Sequence, residues 1–267
     1  MKIIFLNLSL FLTLTFFSFN LWAFKISPMV ATLSPEGGKN SSTTFQVSND
    51  KDEVISIEAD VTTRSIDLHG KEERKKTEEL KAYPMQFQLK PKEIKNIRVI
   101  WTGTKDIKSE LPFRLIVRQL PVSSQKDDNG NGGGGQAGQI KFLFEYVCSV
   151  YVRPQNSRPK LVVEKVKREL AKEVYKENLI SLTIKNDGNE HIIVKNMDIY
   201  LSSEAKEVKD AKDAKESNVE VKVPDDQMEK YSNENILAGE SRILTIKTPS
   251  ELVGFEDKII AKIKIKD

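Results

Sequence analysis

A single cysteine, Cys148, stands in a chain of 267 residues. No internal disulfide can form, so the fold must be held by burial of a core. Histidine is almost as scarce, with only His69 and His191, and neither has a cysteine or a nucleophile motif near it in sequence. There is no phosphate-binding glycine loop, no zinc-ligand spacing and no nucleophile elbow. The expectation is a protein that is not an enzyme and that uses no cofactor, no metal and no small-molecule substrate. An excess of one charge is missing too: Lys+Arg number 42 and Asp+Glu 39, a balance that gives no reason to expect a nucleic-acid partner.

Long apolar runs are confined to the start. Lys2 is followed by an apolar stretch from Ile3 to Phe19 and then by Asn20, Leu21, Trp22 and Ala23. A basic end, an apolar centre and a small-residue exit are the parts of a secretory signal, expected over residues 1–23. The alternative is a permanent membrane anchor, since the run approaches spanning length; the short basic end and Ala23 favour cleavage. The mature chain then starts near Phe24, enough for one large or two ordinary domains.

What the chain does contain is alternation. "TTFQVSN" alternates at Phe45 and Val47, "VISIEADV" at Ile55, Ile57, Ala59 and Val61, and "IRVIW" at Ile97, Val99 and Trp101. "FRLIVRQL", the segment Phe24 to Leu33 and the one around Met85 to Leu89 add to the series. About seven short strands separated by turn residues predict an immunoglobulin-like sandwich over residues 24–154. "RPQNSRP", Arg153 to Pro159, reads as a short, stiff linker. Beyond it "LISLTI", "IIVKNMDIYL", "RILTI" and "KIIAKIKIK" repeat the pattern. The expected fold class is all-β: two immunoglobulin-like sandwiches in tandem with a cleft between them, the second and smaller one over residues 155–267.

The last segment of the first domain, "GQIKFLFEYVCSVYVRP", is unusual. Every second residue is apolar: Ile140, Phe142, Phe144, Tyr146, Cys148, Val150 and Val152. That predicts a strand of about thirteen residues where five or six is usual. Cys148 reads as a small buried hydrophobe, and Cys148 to Val152 as part of the domain's own core. The surplus side chains at the glycine-flanked end have no obvious internal partner. The charge-rich stretches His69 to Leu80 and Ser202 to Asn218 read as solvated loops, and Asp127 to Gly138 as a flexible lead into the strand. Asp127, Asn129, Asn131 and Gly132 begin like a calcium loop, but a Glu is needed where Gly138 stands, and strands rather than helices flank it.

"YPMQFQLKPKEIKNIRVIWTG", then "ELPFRLIVRQLPV", then a glycine-rich loop, then the long apolar strand ending "YVRP", resembles the first domain of the periplasmic pilus-assembly chaperones, the PapD-like family. "IKNDGNEHIIVKNM" and "ILAGESRILTI" are similar to its second domain, particularly in the branch that assembles archaic-type pili. The resemblance implies a chaperone whose long strand completes the sandwich of a pilus or fimbrial subunit, held until delivery to an outer-membrane usher. The lending residues would be Ile140, Phe142 and Phe144, with Tyr146 a further candidate. One departure stands out. The family anchors the subunit's terminal carboxylate with an Arg on the first strand and a Lys four positions before the Arg of the "RP" pair. Here the Lys position is Ser149, and Met29 or Val30 falls near the Arg position. Lys25 and Lys141 are the candidate replacements, since a buried carboxylate without a cation is costly. A second function class stays open: an exported two-domain scaffold of the same fold that binds another envelope protein.

Overall fold

The computed structural model describes residues 24–121, 142–169, 178–203, 220–252 and 259–266. The expected signal, the glycine-rich loop and residues 204–218 of the second charged loop lie outside these. Eleven strands precede the linker: β1 (Lys25–Ser27), β2 (Val30–Leu33), β3 (Ser42–Ser48), β4 (Ile55–Thr63), β5 (Ser65–Ile66), β6 (Glu72–Glu73), β7 (Leu80–Tyr83), β8 (Gln86–Leu89), β9 (Ile94–Trp101), β10 (Leu111–Leu120) and β11 (Glu145–Val152). Eight follow it: β12 (Leu161–Glu169), β13 (Leu179–Asn186), β14 (Ile192–Ile193), β15 (Met197–Ser203), β16 (Glu220–Lys222), β17 (Asn235–Ile236), β18 (Ser241–Lys247) and β19 (Ile259–Ile265).

Strands β1–β3–β9–β7 form one sheet and β2–β11–β10–β4–β8 the other. The period of two does the sorting. In β3, Phe45 and Val47 are buried while Thr44 and Gln46 are exposed, and β9 repeats this at Ile97 and Val99. Phe45, Ile57, Phe113, Leu115 and Val150 meet between the sheets, each such side chain contributing about 1.5–3 kcal/mol by leaving water. Cys148 lies in the same core, where burial pushes its thiol up to about 11, so it acts as a hydrophobe. The segment expected as one strand from Phe24 to Leu33 is two: β1 pairs β3 and β2 pairs β11, so the chain changes sheet at Pro28.

After the linker, β12–β13–β18 and β16–β15–β19 enclose Ile180, Leu182, Ile184, Ile199, Leu201 and Leu244. The fold class is the expected one, all-β with two sandwiches in tandem. Two details differ. β12 was missed because a bulge between Val163 and Lys165 breaks its alternation. "IIVKNMDIYL" is split by a 3-10 turn, Val194–Asn196.

Both sandwiches share a corner that alternation alone does not reveal. Asn49 and Asn186 are each wholly buried and open the related stretches "NDKDE" and "NDGNE". Asn49 Nδ2 donates to the Glu53 carbonyl at 2.7 Å and the Leu89 carbonyl at 3.3 Å, while Oδ1 accepts from Lys51 N–H. Asn186 Nδ2 donates to the Glu190 carbonyl at 2.7 Å and the Ile236 carbonyl at 3.1 Å, while Oδ1 accepts from Gly188 N–H. Their backbone N–H groups reach the carbonyls of Glu93 and Glu240, both at 3.0 Å. Each amide thus satisfies backbone groups of a loop and of a neighbouring strand end that would otherwise be stranded. Removing it leaves those groups unpaired, so Asn49→Ala and Asn186→Ala should each cost about 2–3 kcal/mol, more than the roughly 0.5–2.5 kcal/mol expected for the cavity left by Val150→Ala. Urea denaturation of the three variants checks the order.

Candidate functional site

The β10–β11 ladder pairs Arg118 with Glu145, Leu115 with Cys148 and Leu111 with Val152. On its far edge β11 is covered by β2 only from Ser149 to Val152. Ser149 N–H donates to Met29 O and Arg153 N–H to Leu33 O on that edge, whereas Phe144 O accepts from Gln119 N–H on the β10 side. Because backbone groups alternate sides along a strand, Glu145 and Val147 turn their N–H and C=O toward the uncovered edge. Among the described residues nothing pairs with them there, which leaves a short template for an added strand.

The expected thirteen-residue strand is shorter: among the described residues β11 runs only over Glu145–Val152. The ladder ends at Arg118 opposite Glu145, while β10 itself runs on only to Leu120, after which Pro121 has no N–H to extend it. Ile140 and Lys141 lie outside the described residues. Phe142 is 62% exposed, as expected of a residue with no internal partner. Phe144 and Tyr146 are half-buried and pack on the first core. Lys51 Nζ sits 5.8 Å from the Phe144 ring centre. The Tyr146 hydroxyl donates to Phe24 O at 2.7 Å, and the two rings meet edge to face at 4.8 Å. Exposure thus rises along the segment toward Phe142, without the abrupt division that the sequence suggests.

Lys25 and Ser149 belong to different sheets. Lys25 Nζ is paired with Asp50 at 2.5 Å, which raises its pKa. The cation beside Ser149 comes instead from the strand opposite: Arg114, its register partner, donates through Nη1 to Ser149 Oγ at 2.5 Å. Arg114 Nη2 also meets Glu72 at 2.5 Å, and Arg64 Nε meets the same carboxylate at 2.7 Å. Arg74 Nε is the third partner at 2.6 Å, and Arg64 Nη1 donates to the Tyr151 hydroxyl at 3.0 Å. Burial pushes the Glu72 carboxyl up, but hydrogen bonds from Arg114 and Arg74 and the charges of Arg114 and Arg64 outweigh it and hold the group at about 2. Glu72 lies in the stretch read as a solvated loop; most of that stretch is exposed, but β6 carries this one acid inward. Arg114 occupies a polar position of "FRLIVRQL", so its place opposite Ser149 was readable once the pairing was known.

A second charged group ties the sandwiches together. Glu110, wholly buried at its side chain, meets His191 Nδ1 at 2.5 Å and Arg153 Nε at 2.6 Å, and Arg153 Nη1 reaches Glu190 at 2.6 Å. Burial raises the Glu110 carboxyl, but the His191 and Arg153 contacts outweigh it and the net shift is downward. The His191 ring stacks on Tyr151 at 4.0 Å, so the two charged groups adjoin through that tyrosine.

Residues 34–158, which span β3 to β11 and the linker, match the family model of the pili and flagellar-assembly chaperones, PapD N-terminal domain. This segment belongs to that family. The family is one of chaperones, which act by binding and not by catalysis. A comparison with curated protein sequences finds no match. Among solved structures, the chain is similar to the CsuC–CsuE chaperone–tip adhesion subunit pre-assembly complex from the archaic chaperone-usher Csu pili of Acinetobacter baumannii, with 15% identity, a TM-score of 0.54 and coverage of 90% of this chain and 97% of that one. It is similar also to the class 5 fimbriae chaperone CfaA, with 16% identity, a TM-score of 0.52 and coverage of 92% and 99%. A chaperone–tip adhesin complex of CFA/I fimbriae biogenesis matches at 16% identity and a TM-score of 0.51, covering 91% and 98%. At these identities the likeness shows a shared fold, and it extends over both sandwiches.

Two outcomes are expected. Phe142→Ala should leave the urea midpoint within about 0.5 kcal/mol of wild type, whereas half-buried Phe144→Ala should lose about 1 kcal/mol. Glu72, held near 2 against an ordinary 4.5, adds stability that is fully present above the unfolded value and is lost as pH falls toward the folded one. The gap in stability between wild type and Glu72→Gln should therefore be widest above pH about 5 and narrow by pH about 3. Urea titrations at both pH values measure it, and a gap that does not change with pH would mean the carboxylate is not held ionised.

Proposed function

We propose that the chain is a periplasmic chaperone that captures pilus or fimbrial subunits by lending them a strand and delivers them to an outer-membrane usher. In this reading residues 1–23 are a removed signal, residues 24–154 the lending domain and residues 155–267 the second sandwich. The observation that carries it is the uncovered edge of β11 at Glu145 and Val147, continued by exposed Phe142. Backbone hydrogen bonds along that edge supply register, and the alternate side chains Ile140, Phe142 and Phe144 supply apolar contact. Each aromatic buried in a partner's groove contributes on the order of 1.5–3 kcal/mol. Tyr146 takes the smallest share, because its hydroxyl and ring are engaged by Phe24. The family of the first domain and the chaperone folds that the whole chain resembles support the same reading.

Where the resemblance led to Lys25, Lys141 and Ser149 as the carboxylate anchor, Arg114 and Arg64 are the better choice. They are the buried cations that stand beside Ser149, while Lys25 is held by Asp50 in the other sheet.

Val147→Pro separates the strand edge from the fold. It removes an N–H that faces the uncovered edge and leaves the β10 ladder intact, a position where proline is tolerated. With pilus subunits co-expressed and both proteins recovered from the periplasm, Val147→Pro and Phe142→Ala should abolish or sharply reduce co-purification while the circular dichroism of the chaperone stays unchanged. Full capture by Val147→Pro would mean that the partner does not add a strand here.

A further inference from the structure

Strand β18 ends the sheet β12–β13–β18, so one of its edges has no strand beside it. Its sequence, "SRILTIK", is one that pairs readily, with apolar or β-branched residues from Ile243 to Ile246 and no proline. Backbone groups alternate sides along a strand. The residue just beyond β18, Thr248, donates its N–H to Asn178 O on the β13 side, so Leu244 and Ile246 bond to β13 while Ile243, Thr245 and Lys247 turn their N–H and C=O to the outer edge.

Each of these outward N–H groups is nevertheless answered. Ile243 N–H donates to Leu68 O of the first sandwich at 2.9 Å. Thr245 N–H donates to the Tyr231 hydroxyl at 2.9 Å, and Lys247 N–H to Gln227 Oε1 at 2.7 Å. The Tyr231 hydroxyl donates back to Thr245 O at 3.0 Å, and Lys230 Nζ reaches the same carbonyl at 2.9 Å. One hydroxyl thus does for Thr245 what a residue of a neighbouring strand would do: it takes the N–H and supplies a donor to the C=O. These side chains come from a short helix, Asp225–Glu229, and the turn after it. Met228 and Tyr231 pack on the second core, which holds the segment against the sheet. The contrast with β11 is direct: there the edge at Glu145 and Val147 has no partner among the described residues, and here side chains stand in for a strand.

We propose that Gln227 and Tyr231 form an autoinhibitory contact that keeps a second copy of this chain from pairing along β18. The geometry names the pairing that is excluded. A two-fold axis through Ile246 sets Thr245 of each copy opposite Lys247 of the other, and it uses the N–H groups that the two side chains now occupy. It joins the two copies of the sheet edge to edge. It also stays clear of Leu68, which closes the edge at Ile243. The inference does not depend on the chaperone reading, because it concerns a different edge in a different sandwich.

The test uses the full mature chain in a Val147→Pro background, which removes pairing at the β11 edge. Tyr231→Phe with Gln227→Ala deprives the Thr245 and Lys247 N–H groups of their acceptors and keeps an aromatic ring in the second core. In dilute protein, amide hydrogen exchange at Thr245 and Lys247 should quicken about fivefold, the factor that one lost hydrogen bond corresponds to, while Leu244 and Ile246 keep the rates of the parent. In concentrated protein, sedimentation equilibrium should show the double variant associating at least about tenfold more tightly than its parent. Adding Thr245→Pro, which deletes an outward N–H and spares the β13 ladder, should return it to monomer. An unchanged association constant overturns the proposal, and so does association that survives Thr245→Pro, because the contact then lies elsewhere. Gln227→Ala alone, a side chain outside the core, keeps the test decisive where the double variant loses its fold: it should speed exchange at Lys247, leave Thr245 protected and raise association by a smaller factor, and a variant that associates no more than its parent overturns the proposal equally.

Discussion

The ladder between β10 and β11 is the constraint on which the rest depends. Its register places Leu115 opposite Cys148 and Phe113 opposite Val150, which fills the core of the first sandwich. The same register places Arg114 opposite Ser149 on the outer face. It also decides which backbone groups of β11 are used and which are left at the edge. A slip of one residue would exchange core and outer face, burying Arg114 without a partner and exposing Cys148 and Val150. Core, charged site and open edge are therefore three readings of one alignment, and none can shift alone.

Sequence alternation made the fold class legible because both sheets of each sandwich bury one face. It failed where burial is not periodic. The bulge in β12 hides a nine-residue strand, and the sheet change at Pro28 divides a segment that reads as one. The candidate site was legible in its apolar part: Phe142 is exposed where the surplus was expected, and Cys148 to Val152 are buried save for Ser149. Its charged part was not. Arg64, Glu72 and Arg114 are separated in sequence by up to fifty residues, and each taken alone is an ordinary charged residue on a strand or loop. Only the hairpin fold-back of β5 and β6 brings them together, and no local pattern encodes it.

The two sandwiches are joined mainly by polar contacts. Glu110 with Arg153, His191 and Glu190, the Tyr151–His191 stack, and Arg242 on the hairpin all cross between them. Polar junctions of this kind fix orientation more than they add stability, because the gain in contact is offset by desolvation. The linker contributes to the same end: Arg153 follows directly from β11, and Arg158 takes part in backbone and side-chain contacts with Asn189. The strand with the uncovered edge and the arm that sets the second sandwich are thus one continuous piece of chain.

An uncovered strand edge is a hazard, since any extended chain, including a second copy, can pair with it. The usual protections are charge, brevity and burial of the apolar face. Here the uncovered part is about two backbone units long, and Glu145 at its start is bound to Arg118, so a charge stands at the entrance. Phe144 and Tyr146 turn against the protein's own core, which leaves Phe142 as the large aromatic exposed next to the edge. Such an edge is too short to hold a partner on hydrogen bonds alone, each worth about 1 kcal/mol net. In the proposed function, firm binding would call for a second point of attachment, and the buried arginines beside Ser149 lie on the same strand pair. Two weak points on one rigid ladder would bind jointly only a partner that presents both a strand and a matching anion at the right spacing. Such a requirement would supply selectivity while the edge itself stays short.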